Sequence, residues 1–385
     1  MTDNQLPALV TPSLLKWGRE SLGLSLGDAA GILSDRTSKK VSSKIMKDWE
    51  DGKSFPLYTQ LIEMSKIYGR PTIFFYLPEP PKEESVQKRF PLVSKEQSDS
   101  LSPKTRYSIR KAEVYYLNLE EIGGNKATFQ SITSIHTCIN SDNEAESMAK
   151  KIKDDFNFPN IQNFENGEHA FDKCADWMEK HGIYIFKDSL QDNSCGGYSY
   201  LNKNFQMILI NDDLPEMRKI YTLLHEFSHI LMNNGGFDFI EPCDSKTENI
   251  AIKFADTMMV SDVELKKIAH KGKIEDSEVE ALIDKTHVYS ESILRKLLQL
   301  DLIGKKYCND KISDIRAGML GLTTKQIKNN RDFTLLSKKY IEIFLNNYNE
   351  GALDDGEISE YLNVPVNKID DVAKFLVRGE EGLAR

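Results

Sequence analysis

Two histidines four residues apart, with a glutamate directly after the first, constrain this chain more than any other feature. They stand in His225-Glu226-Phe227-Ser228-His229. On a helix, positions i and i+4 share a face, so both imidazoles can reach one ion. Ile220, Leu224, Phe227 and Leu231 form a separate apolar stripe on the same segment, which demands a core to bury it. Zinc suits such a pair, because it takes nitrogen and oxygen ligands tetrahedrally and can keep one position for water. Glu226 is placed to take a proton from that water.

A third ligand should come from the next helix. Glu248 follows His229 by 19 residues, in a segment where Glu248, Ala251 and Ala255 fall on one helical face. Small side chains there allow close approach to the first helix. Glu241 and Asp244 are weaker candidates because they precede the expected helix, and Asp256 is a candidate for orienting a ligating histidine.

The rest of the chain sets the frame. At 385 residues it should divide into two or three domains. Its net charge of -9 argues against coating nucleic acid or anionic membrane by bulk charge. No apolar run is long enough to span a bilayer, and Met1 to Pro7 does not read as a secretion signal. The five cysteines include no CxxC pair, which fits packing roles in a reducing cytoplasm. Proline-rich Leu77 to Pro81, then charged Lys82 to Ser85, reads as a domain boundary. The expected division is 1–81, a helical N-terminal domain; 82–144, a linker with one long helix from Lys104 to Ile122; 145–300, the metal-binding domain; and 301–385, a helical C-terminal region.

The central domain reads as α+β and mostly helical, with a small sheet. Strands are expected at 182–186, 196–201 and 206–210. A helix should start near Asp212-Asp213, with Pro215 in its first turn, and stop at Gly235-Gly236. A second should run from Ser245–Thr247 past Met259. Further on, Leu335 to Tyr348 reads as an amphipathic helix, and Gly356 to Leu362 as the start of a second small helical unit.

Arg218 to Leu231, including Thr222-Leu223-Leu224-His225-Glu226-Phe227-Ser228-His229, resembles the ImmA/IrrE family of zinc metallopeptidases. Glu248, Ala251, Phe254 and Ala255 match the family's second helix, while Ile252 and Ser228 replace its usual Asn and Gly. Val288-Tyr289-Ser290 and Leu294 to Leu297 are similar to a later family segment, so the resemblance covers about 145–300. It implies a zincin-like fold, zinc as cofactor held by His225, His229 and Glu248, and peptide hydrolysis with Glu226 as general base. An oxyanion-stabilising group is also needed, for which His287, Tyr198, Tyr200 and Tyr221 are open alternatives.

Ser25 should cap a short helix. Val41 to Gly52 then resembles the recognition helix of XRE-type (Cro/repressor-like) helix-turn-helix domains, capped by Ser42, with Met46 and Trp49 inward. Lys39, Lys40, Ser43, Lys44 and Lys47 are left to meet DNA, within a basic run from Arg36 that contains no acid. Asp35 to Lys40 lengthens the usual turn between the two helices.

Three functions follow. The first is a zinc endopeptidase with a DNA-binding domain, cleaving a partner repressor or antitoxin in a mobile-element or stress-response circuit. The second is a non-enzymatic, zinc-stabilised transcriptional regulator. The third is the toxin of a toxin–antitoxin pair. The C-terminal region would hold the substrate or a second copy in a homodimer.

Overall fold

The computed structural model describes residues 6–80, 95–123, 139–164, 166–202, 205–239, 245–260, 265, 274–286, 288–320 and 333–381. The chain divides into two compact units: Met1–Arg89 with Ser94–Val114, and Phe90–Val93 with Tyr115–Arg385. The 82–85 part of the expected linker lies outside the described residues, as do His287, Glu241, Asp244, Cys138 and Cys243.

The first unit is helical. Its elements are α1 (Pro12–Glu20), α2 (Leu26–Arg36), α3 (Ser43–Glu50), α4 (Tyr58–Tyr68) and α5 (Lys95–Ser100), with the start of α6 (Pro103–Glu121). Ser25 caps α2 in a reciprocal box with Asp28, and the Ser42 hydroxyl accepts from Ile45 N–H at the start of α3. Met46 and Trp49 are buried with Leu14, Leu15, Leu33, Leu61 and Phe75. The long turn before α3 is stapled by the Ser34 hydroxyl, which accepts from Val41 N–H at 2.8 Å and donates to Val41 C=O at 3.0 Å. A buried Arg19–Glu50 pair at 2.7 Å joins α1 to α3.

The second unit is built on one four-stranded sheet of order β1-β3-β2-β4, from β1 (Tyr184–Asp188), β2 (Cys195–Asn202), β3 (Phe205–Asn211) and β4 (Gly236–Phe239). β1 runs parallel to β3, and the other two pairings are antiparallel. Ile185, Ile208 and Ile210 point to one face and join the main core. On that face lie α8 (Gly167–Lys180) and α9 (Glu216–Leu231); α10 (Lys246–Met259) packs on α9, and α7 (Asp142–Asp155) packs on α10. The opposite face is covered by aromatic rings. Phe186 stacks on Tyr115 at 4.2 Å and meets Tyr340 edge-on at 5.7 Å. Beyond these come α11 (Asp276–Thr286), α12 (Ser290–Gln299), α13 (Lys305–Leu320), α14 (Lys338–Asn349), α15 (Asp355–Tyr361) and α16 (Ile369–Glu381). The fold is mostly helical with a small mixed sheet, consistent with a zincin-like α+β domain. No helix among the described residues is long and apolar enough to cross a membrane.

β1 lies two residues later than expected, and both ends of α9 differ from their expected positions. α9 starts at Glu216, not Asp212, because Asp212 and Asp213 serve the preceding turn. Asp212 N–H extends the β1 ladder to Asp188 C=O at 2.9 Å, and Asp213 accepts from Ser189 and Gln191. Leu214, ahead of Pro215, is also kept from helical backbone. α9 then ends at Leu231, before the Gly235-Gly236 pair, because Asn233 takes the left-handed conformation at φ +57°. Gly236 is thereby free to open β4, a strand not expected from the sequence.

A candidate metal centre on two helices

α9 is more buried than its apolar stripe predicted. Every residue from Arg218 to Leu231 is buried, the polar ones included. Its neighbour α10 is capped by the Ser245 hydroxyl, which accepts from Glu248 N–H at 3.1 Å. That cap puts Glu248 in the first turn. Ala251 and Ala255 on the same helix are fully buried, and Phe254 meets Phe227 of α9 edge-on at 5.8 Å.

The two helices bring three donors together. His225 Nε2 and His229 Nε2 lie 3.2 Å apart. The Glu248 carboxylate oxygens lie 3.2 Å from His225 Nε2 and 3.4 Å from His229 Nε2. One ligand atom from each residue falls within 4.8 Å of the others. A tetrahedral ion with bonds of ~2.0–2.1 Å requires donors separated by roughly 3.3–3.4 Å. The donor set and its spacing therefore fit zinc.

Glu226 is fully buried beside this cluster. Among the described residues neither of its carboxylate oxygens has a hydrogen-bonding partner of good geometry, and Ser199 is its polar neighbour. Burial pushes its carboxyl up to about 8, opposed by His229. Glu248 goes the other way. Burial works against its charge, but the two histidines hold it well below the usual carboxylate range.

The sheet decides among the tyrosines. Gly197 and Ser199 pair with Ile210 and Ile208, on the α9 face. Tyr198 and Tyr200 pair with Leu209 and Met207, and by strand alternation point away from α9. Neither stands at the cluster as an oxyanion group. Tyr221 lies one turn before His225, with ring centroids 6.0 Å apart, and of the three described candidate tyrosines it is the one on the site's side.

Asp256 does not orient a histidine. Both its oxygens are taken by Arg295 of α12, at 2.6 and 2.8 Å. Arg295 and Arg316 also reach Glu291, which accepts from the Tyr289 hydroxyl at 2.7 Å. The partner of His229 is instead Asn234, whose Oδ1 lies 3.2 Å from Nδ1. Asp238 on β4, which no sequence motif marks, accepts from Arg218 at 2.8 Å and from the Thr222 hydroxyl at 2.6 Å.

Residues 178–298 match the family model described as the IrrE N-terminal-like domain, Peptidase_M78. That segment is similar to metallopeptidases of the IrrE/ImmA type. It contains both helices of the metal cluster, the whole sheet and most of α12. No curated protein and no solved structure matches the chain.

In the first unit, Ser43, Lys44 and Lys47 are exposed on α3, and Lys39 and Lys40 are exposed in the turn before it. Lys40 sits 3.9 Å from Asp35, and both side chains are open to solvent. Cys174, Cys195 and Cys308 are buried free thiols.

Proposed function

We propose that this protein is a zinc-dependent endopeptidase in which His225, His229 and Glu248 hold the metal and Glu226 carries the proton. The observation behind this reading is the convergence of two imidazole nitrogens and a carboxylate at tetrahedral spacing, with Glu226 buried next to them. Bound zinc supplies Lewis acidity toward a peptide carbonyl and lowers the pKa of its water. The two histidines present Nε2 lone pairs, and Glu248 supplies the one negative charge of the set. Glu226 accepts the proton of the attacking water and returns it to the leaving nitrogen. Its low-dielectric surroundings keep its basicity high enough for that task.

The substrate we propose is a partner repressor or antitoxin, with the enzyme brought to DNA through Lys39, Lys40, Ser43, Lys44 and Lys47. The resemblance of Val41 to Gly52 to a recognition helix and the exposure of these five side chains support that reading.

Elemental analysis tests the metal reading. Purified protein should carry one zinc per chain, and Glu248→Ala should lose it. Wild-type protein that stays metal-free after loading with zinc, at wild-type fold, would overturn the assignment. Incubation with the product of the neighbouring gene tests the substrate reading, with the fragments expected to vanish on chelation.

A further inference from the structure

His225 and His229 are not held alike. Among the described residues, Nδ1 of His225 has no hydrogen-bonding partner, although the ring is buried. His229 is held on two sides by the segment that leaves its own helix. After Leu231 the chain turns through left-handed Asn233, so that Asn234 N–H donates to His229 C=O at 3.0 Å. The same turn sets Asn234 Oδ1 3.2 Å from His229 Nδ1. Two residues later β4 begins at Gly236, lying directly against the ring. A Cβ at Gly236 would sit 2.6 Å from His229 Cδ2 and 2.7 Å from Cγ. The strand cannot retreat, because Gly236 N–H donates to the Ser199 hydroxyl at 3.1 Å and the residue pairs with Ser199 in the ladder.

We propose that Asn234 is a positioning residue that fixes the tautomer and plane of His229, with Gly236 holding the ring's other side. A neutral imidazole that offers its Nε2 lone pair must carry its proton on Nδ1. The Asn234 amide oxygen accepts a hydrogen bond from that N–H. It thereby keeps the Nε2 lone pair aimed at His225 and Glu248, where the donors converge. Partners of this kind typically alter metal affinity by ~10–100-fold when removed. This inference rests on the reading of His225, His229 and Glu248 as zinc ligands.

The test is competition for zinc between a chromophoric chelator and the full-length protein, stripped and then reloaded. Wild type, Asn234→Ala and Asn234→Asp are compared, with thermal unfolding of each metal-free protein as the fold control. Wild type is expected to take up one zinc. Asn234→Ala should bind ~10–100-fold more weakly at an unchanged metal-free melting temperature. Asn234→Asp, whose carboxylate accepts the same hydrogen bond, should bind at least as tightly as wild type. Equal affinity in wild type and Asn234→Ala would overturn the proposal. So would an Asp variant that folds but binds as weakly as the Ala variant, since the side chain would then serve only the turn. If Asn234→Ala does not fold, the Asp variant decides against wild type: affinity at least equal to wild type supports the proposal, and affinity ~10-fold or more weaker overturns it. A wild type that takes up no zinc would instead bring down the metal reading itself, an outcome distinct from the other two.

Discussion

The guanidinium of Arg218 donates to the carboxylate of Asp238 across 2.8 Å, with both side chains about 4% exposed. This pair ties α9 to the edge strand β4, about two helical turns before the first histidine. The Thr222 hydroxyl shares the same acceptor oxygen. Arg218 also lies over the rings of Tyr221 and Tyr289, at 5.1 and 5.4 Å.

Removing one partner of such a pair leaves an uncompensated buried charge. Asp238→Ala should cost about 3–5 kcal/mol of stability, read from the midpoint shift in urea unfolding. A change below about 1 kcal/mol would mean that the pair is replaceable by water.

Gly236 is required by close approach and not by backbone conformation. Gly236→Ala forces either the strand or the His229 ring to move, because the new methyl would meet ring atoms at 2.6–2.8 Å. Overpacking of this kind costs about 1–3 kcal/mol. Circular dichroism melts should show the loss, and zinc uptake should weaken with it.

Glu226→Gln keeps size and burial but removes the proton carrier. Zinc content should be retained, while hydrolysis falls by ~100-fold or more. Cleavage at an unchanged rate, measured on any peptide the wild type cuts, would exclude Glu226 from the chemistry.

A separate pH signature should come from Glu179 at the end of α8. Burial pushes its carboxyl from 4.5 up to about 7. It accepts from Ile185 N–H at 3.4 Å and from Lys339 N–H at 3.3 Å, so it ties α14 to the sheet domain. Between those two pH values the folded chain holds a proton that the unfolded chain has lost. Stability should therefore fall as pH rises through the window, by up to about 3 kcal/mol, and level off above pH 7. Glu179→Gln should flatten this slope in unfolding experiments at pH 4.5 to 7.5.

Lys44 and Lys47 give the check on DNA binding. If both meet phosphates, replacing either with alanine should lower affinity evenly across sequences. The slope of log affinity against log salt should drop by about 0.9 per lysine. Fluorescence anisotropy over a salt series would read it, and unchanged slopes would remove α3 from the DNA-binding role.

How much of this was legible in the sequence depends on how local each feature is. The α9 cluster and the α10 carboxylate were readable because helical spacing and a serine cap act within a few residues of His225, His229 and Glu248. β4 was not, since Gly-Phe-Asp-Phe is four residues long and includes two types that strands disfavour. Asp256 was misread for a related reason. A helical face says which side a carboxylate leaves from but not that Arg295, 39 residues on, is waiting there. Asn234 escaped notice because its contact depends on one left-handed residue, Asn233, which reverses the chain. Tyr198 and Tyr200 could be set aside only once the strand register was known.

The burial of α9 on every side has a consequence for how this molecule can change over time. A helix with one wet face can drift there at little cost. From Arg218 to Leu231 this one has no such face, so each substitution must fit neighbours on the sheet, on α10 or on α8. Sequence variation tolerated by the protein should accordingly collect elsewhere, and a library randomised across these fourteen positions should return very few folded members.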